Sequence, residues 1–167
     1  MEIECREQGG QKVMCWCGVV DGKIIIHWFD QNVSVNGDTY LETLQNVVLP
    51  KIRALATRRR YWFQQDGASI HTTIRARAWL QSKFGSKVVS RLTARPQPKS
   101  PDLYPLDFWF WGVGMAELRR ALPTTLEDLN ITVEAFADSM DKEEITKAVR
   151  HLRTRAQVCK QLNGAAF

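Results

Sequence analysis

The stretch Tyr61-Trp62-Phe63-Gln64-Gln65-Asp66-Gly67-Ala68-Ser69-Ile70-His71 decides how the rest of the chain is read. A short apolar strand over residues 61–65 ends at Asp66, and a basic turn, Arg58-Arg59-Arg60, feeds into it. Residues 72–84 then read as a helix, and residues 88–92 as another strand. Upstream, residues 13–20 (VMCWCGVV) are apolar on both faces, as expected of a strand covered on both sides. Asp21-Gly22 is a hairpin signal, and residues 23–29 (KIIIHWF) supply the returning strand. Tyr40, Leu41, Leu44, Val47 and Val48 recur at helical spacing, with Asn36 or Asp38 as N-cap. Pro50 predicts a kink or restart before that helix ends near Leu55.

Downstream, residues 94–105 (ARPQPKSPDLYP) hold four prolines and predict a stiff, extended loop. The pattern turns helical from Leu106. Thr124-Thr125-Leu126-Glu127 predicts a capping box with Thr124 at the N-cap. A last helix is expected from about Lys142 to Leu162, with Gly164 past its end. This order of elements describes an α/β layer fold with a central mixed sheet. No linker rich in Gly, Ser or charge divides it, so one domain is expected over residues 1–167.

Composition agrees and adds limits. A chain of 167 residues with 44% apolar side chains can bury one good core. A net charge of +5 suits a polyanionic partner, although many proteins with no nucleic-acid role are equally basic. Cys15 and Cys17 alternate within a strand, and no second Cys or His pair completes a zinc site. They read, with Cys5 and Cys159, as reduced thiols of an intracellular protein. No apolar run approaches the roughly 20 residues of a membrane helix, and the N-terminus has no signal-peptide character. A soluble protein is expected.

Two carboxylates stand out by position. Asp66 ends a strand, and Asp107 opens a helix behind the proline-stiffened loop in Ser100-Pro101-Asp102-Leu103-Tyr104-Pro105-Leu106-Asp107. Both places hold an oxygen ligand firmly, as phosphodiester cleavage with two divalent ions requires. Mg2+ keeps several waters and needs few protein carboxylates. Read alone, each Asp is more often a turn or cap residue.

The surrounding strings resemble the Tc1/mariner group of DDE/D transposases along nearly the whole chain. Gly9-Gly10-Gln11-Lys12-Val13-Met14-Cys15-Trp16 is similar to that family's second strand. Val35-Asn36-Gly37-Asp38-Thr39-Tyr40-Leu41, running on to Val48-Leu49-Pro50, resembles its following helix. Gln64-Gln65-Asp66-Gly67-Ala68-Ser69 with His71 resembles the motif of the second catalytic Asp. Ser100 to Leu103, Pro105-Leu106-Asp107-Phe108 and Trp111-Gly112 resemble the motif of the third acidic residue. Arg155, Cys159 and the Gly164 to Phe167 ending resemble the family's C-terminal close. Asp in third place, where other subgroups carry Glu, points to mariner-like relatives.

The resemblance implies an RNase H-like fold, a mixed sheet flanked by helices. It implies a two-ion site for Mg2+ or Mn2+ held by Asp66 and Asp107, with DNA cleavage and strand transfer as the activity. The family's first catalytic Asp lies on a first strand upstream of the Gly-Gly-Gln motif, and only eight residues precede Gly9. The first strand, its Asp and the helix-turn-helix units are therefore expected to be missing, and the activity of this polypeptide to be weak or absent. Nothing in the sequence places Glu2, Glu4 or Asp21 beside Asp66 as a substitute. The alternative reading is a non-catalytic DNA- or protein-binding module derived from a transposase.

His71 is an accessory candidate that reaches a scissile phosphate or orients a ligand, set against a plain helix-start residue. Arg58, Arg59, Arg60, Arg75 and Lys99 are the candidate DNA contacts, with a solvated loop as the competing reading of the arginine run. Asp102 reads as a loop brace, Trp109 and Trp111 as packing residues, and His27 and His151 as structural or solvated. Gly114 and Met115 depart from what a helix prefers there. The expected partner is DNA, with a homodimer as the candidate assembly and neither a membrane nor a small-molecule substrate. Nuclear residence follows from the substrate.

Overall fold

Asp21 and Gly22 both take positive φ, 52° and 78°, the sign pattern of the tight turn whose twist matches that of the strands it joins. In the computed structural model, which describes residues 2–4, 12–56, 61–90 and 101–163, this turn lies in the first of two compact units. That unit comprises Met1–Val33 and Pro101–Phe167, and the second comprises Ser34–Ser100. The strands, in chain order, are β1 (Glu2–Glu4), β2 (Lys12–Val20), β3 (Lys23–Trp28), β4 (Phe63–Gln64) and β5 (Val88–Val89). The helices are α1 (Gly37–Thr43), α2 (Leu49–Leu55), α3 (Ile74–Phe84), α4 (Trp111–Ala121), α5 (Leu126–Ser139) and α6 (Lys142–Gln161).

In the first unit, β2 pairs antiparallel with β3 from Cys15↔Trp28 to Val20↔Lys23, and with β1 from Glu2↔Met14 to Glu4↔Lys12. Val13 and Cys15, two apart and so on one face, are buried with Leu118 of α4 and with Leu129 and Val133 of α5. Ile26, Trp28, Trp111 and Met115 close around that cluster. Met115 thus packs, partly buried, against the core, and Trp111 packs as expected. Gly114 has a reason as well. A Cβ there would stand 3.3 Å from the Phe136 ring of α5, so its absence relieves a tight helix contact. Cys15 is buried, and burial pushes its thiol up to about 11. Desolvation raises Cys17 in the same direction, and Cys159 is also buried.

The cap of α5 falls one residue later than expected. Thr125, not Thr124, is the N-cap; its hydroxyl accepts from the Asp128 N–H at 3.0 Å, and the Thr125 N–H donates back to Asp128 at 3.2 Å. The expected last helix is α6.

In the second unit, Asn36 caps α1 by accepting from the N–H groups of Asp38 and Thr39 at 2.9 and 3.1 Å. The helix then widens into a π segment, Leu44–Val48, before restarting as α2 with Pro50 in its first turn. Pro50 has no N–H to give the carbonyl four residues back, which accounts for the restart. Tyr40, Leu41, Leu44, Val48 and Ile52 form its buried stripe. β4 and β5 pair in parallel, Phe63↔Val88 and Gln64↔Val89, with α3 as the crossover. The expected helix over 72–84 starts later, at Ile74, because a 3-10 turn, Ser69–Thr72, precedes it and Thr73 caps it.

Among the described residues the strands thus form two sheets, one antiparallel with three strands and one parallel with two, and no strand pairs with both β2 and β4. The expected strand residues 91–92, most of the proline loop, the Gly-Gly-Gln motif and the Gly164 ending lie outside the described residues.

Gly22 is the most exacting position in the hairpin. Besides its positive φ, a Cβ there would lie 2.5 Å from Lys142 Cγ at the start of α6. Gly22→Ala is expected to destabilise the protein by about 1–2 kcal/mol. Urea denaturation measures this, and an unchanged midpoint would contradict the turn geometry.

Candidate functional site

The ladder of the second unit runs one residue past β4, because the Gln65 N–H donates to the Val89 carbonyl at 3.1 Å. Asp66 follows with its side chain half-exposed. Its Oδ1 accepts the Ala68 N–H at 3.0 Å, an Asx turn, and lies 2.5 Å from His71 Nδ1. The 3-10 turn brings His71 back to this point, and the His71 N–H donates to the Ala68 carbonyl at 3.0 Å. The hydrogen bond from His71 holds the Asp66 carboxyl below its ordinary range, against burial, which pushes it up. Both contacts fall on Oδ1, so Oδ2 has no protein donor among the described residues.

Below this pair lies a buried polar network. The Tyr40 hydroxyl donates to Gln65 Oε1 at 2.5 Å, and Gln65 Nε2 donates to the His71 carbonyl at 2.9 Å and to Ser90 Oγ at 3.1 Å. Tyr40, Gln65 and Ser90 are all buried, Ser90 completely. The Tyr40 ring also lies against the His71 ring, 4.4 Å between centroids. From the sequence, Tyr40 belongs to the apolar stripe of a helix, Gln65 to the stretch around Asp66 and Ser90 to an expected strand, and none of them signals this network.

In the first unit, Asp107 is exposed in the first turn of a second π segment, Leu106–Phe110, which leads into α4. Its N–H donates to the Tyr104 carbonyl at 2.9 Å. Arg155 of α6 anchors the preceding turn, Pro101–Leu103. Its Nε donates to the Asp102 carbonyl at 2.6 Å and its Nη2 to Asp102 Oδ1 at 3.2 Å. The same guanidinium stands 4.4 Å from the centroid of the Phe108 ring. Asp102 is therefore the brace its sequence suggested, and Arg155 grips both sides of Asp107.

Arg75 is exposed at the start of α3 and pairs with Asp38 of α1, a surface ion pair of modest worth. His27 packs edge-on against Phe29, and His151 is exposed on α6. Arg58, Arg59, Arg60 and Lys99 lie outside the described residues. Among the described residues, no group of three His, Cys, Asp or Glu side chains converges as a metal site. The carboxylates of Asp66 and Asp107 are hard oxygen donors of the kind Mg2+ and Mn2+ take.

No family model and no curated protein sequence matches the chain. Solved structures do. The catalytic domain of the Mos1 mariner transposase superposes with a TM-score of 0.81 at 19% identity, over 100% of this chain and 81% of that one. The same domain with raltegravir and Mg gives 0.81 at 20% identity, over 100% and 83%. The Mos1 paired-end complex with the left transposon end gives 0.76 at 20%, over 97% of this chain and 46% of that one. The chain thus has the fold of the Mos1 mariner transposase catalytic domain, an RNase H-like fold.

The lowered Asp66 pKa predicts a pH-linked contribution to stability. A depressed carboxyl stabilises fully above its unfolded value of about 3.9 and loses that contribution as pH falls through the lower folded value. Because Asp66 is half-exposed, the effect should stay below about 1 kcal/mol. Asp66→Asn is expected to be less stable than the parent at neutral pH and equal to it once the carboxyl is protonated. Urea titrations at both pH values test this, and a constant gap would contradict the linkage.

Proposed function

We propose that this chain is the catalytic core of a Tc1/mariner-type transposase, a single functional domain over residues 1–167 that acts on DNA through divalent ions. The observation that carries the reading is Asp66 at the end of β4, hydrogen-bonded to His71, within a fold shared with the Mos1 catalytic domain. Asp66 and Asp107 would hold Mg2+ or Mn2+. Bound ions would activate the attacking oxygen and stabilise the leaving oxygen of an in-line displacement at phosphorus. Asp66 contributes a carboxylate kept ionised by His71, with its second oxygen open to a cation. Asp107 contributes a carboxylate on a turn held by Arg155. Arg58, Arg59, Arg60, Arg75 and Lys99 would contact the DNA backbone, with Arg75 exchanging Asp38 for a phosphate.

Two carboxylates leave an ion pair under-coordinated, so the 167-residue polypeptide is expected to bind DNA but to cut it weakly or not at all. The family supplies a further Asp from upstream of Gly9. Residence in the nucleus and pairing of two copies on DNA follow from the same reading. No described helix is long and apolar enough to cross a membrane.

Incubation of the polypeptide with nicked and duplex DNA plus Mn2+ tests the reading. Salt-sensitive, sequence-indifferent binding with little cleavage is the expected result. Strong cleavage lost in Asp66→Asn would disprove the under-coordination argument. Absence of binding at low salt would instead favour a protein-docking relic of a transposase.

A further inference from the structure

Neutral histidine in water prefers its ring proton on Nε2, yet here Nδ1 faces a carboxylate oxygen 2.5 Å away. Something must hold the ring in that pose. The side chain of His71 is itself only 16% exposed, and two buried contacts fix it. The Gln65 amide donates to the His71 main-chain carbonyl at 2.9 Å, and the Tyr40 ring lies against the imidazole. Gln65 is fixed in turn, since Tyr40 donates to its oxygen and its Nε2 also donates to Ser90. A buried amide saturated in this way has no alternative orientation of equal energy.

We infer that Gln65 is the positioning residue of the Asp66–His71 pair: its buried amide sets the His71 main chain so that Nδ1 carries the ring proton and donates it to Asp66. The ring's lone pair is then left on Nε2. This rests on the proposed role of Asp66 only for its consequence. Asp66 keeps Oδ2 for a cation, and His71 presents the Nε2 lone pair as a hydrogen-bond acceptor.

The test reads the tautomer directly, in the 167-residue chain without metal or DNA. Ring 15N shifts are recorded for the 15N-labelled protein in mildly alkaline buffer, with His27 and His151 as internal references. The parent should show a protonated-type Nδ1 and an unprotonated-type Nε2 for His71. The double variant Gln65→Met/Tyr40→Phe removes the Tyr40–Gln65 bond together with both its partners. The Ser90 hydroxyl and the His71 carbonyl lose the Gln65 donor, so a urea titration first establishes that this variant is folded. In it the two His71 shifts should move to the averaged values of freely exchanging tautomers, while those of His27 and His151 stay put.

Gln65→Glu keeps an acceptor for Tyr40 and removes both donors, so it should produce the same averaging. Tyr40→Phe alone keeps the ring contact and the Gln65 grip on His71, and should leave the tautomer in place. Unchanged His71 shifts in a folded Gln65 variant would overturn the assignment. So would complete averaging in Tyr40→Phe alone, which would move the role to Tyr40. Failure of DNA binding would leave these shifts untouched, so this test and that of the proposed function fail separately.

Discussion

Two residues on each side, Phe63–Gln64 against Val88–Val89, make a parallel ladder too short to stand on its main-chain hydrogen bonds. Side chains carry the pairing further. Past the ends of the strands, Gln65 bonds to Ser90, so the two chains stay joined where the backbone ladder gives out. Tyr40 then ties this extension to α1, and Phe63 stacks on Phe84 at the end of the crossover helix, 5.0 Å between centroids. Burying three polar groups is costly unless each finds a partner, and here each does. The exposed carboxylate that follows Gln65 therefore rests on a rigid base, although it lies on a loop.

The first unit solves a similar problem with charge. A turn rich in proline has few N–H groups to spend on its own fixation, and Arg155 supplies the missing bonds from a distant helix. Its planar fork takes the carbonyl and the carboxylate of Asp102 while its face covers Phe108. The Asp107 turn is thus held by one side chain far away in sequence, Arg155. The Asp66 turn is held instead by its neighbour Gln65, which Tyr40 and Ser90 fix from 25 positions away on either side.

How legible these features were depended on their range. The Asp21-Gly22 hairpin, the restart at Pro50 and the long α6 were readable because each is set by neighbours within a few residues. The α5 cap slipped by one because Thr124 and Thr125 each have an acidic residue three positions on, Glu127 and Asp128, giving two overlapping boxes. The late start of α3 was hidden because Ser69–Thr72 is spent on returning His71 to Asp66, a demand of the site that helical periodicity does not register. The division of the strands into two sheets was not readable, since alternation marks a strand without naming its partner. Gln65 and Ser90 escaped for the same reason. A polar residue beside a strand reads as solvent-facing until the group that satisfies it, 25 positions away, is known. Asp66 and Asp107 were picked out by motif, and the residues that support them were not.

All four cysteines of the chain fall in Met1–Val33 or Pro101–Phe167, and residues 34–100 contain none. With Cys15 and Cys159 buried, alkylating reagents gain access to those two only when the first unit opens. The protein thus carries a native chemical clock for one half of itself, while the half bearing Asp66 stays silent to the same reagent. The opening of that unit alone can be timed without adding a label.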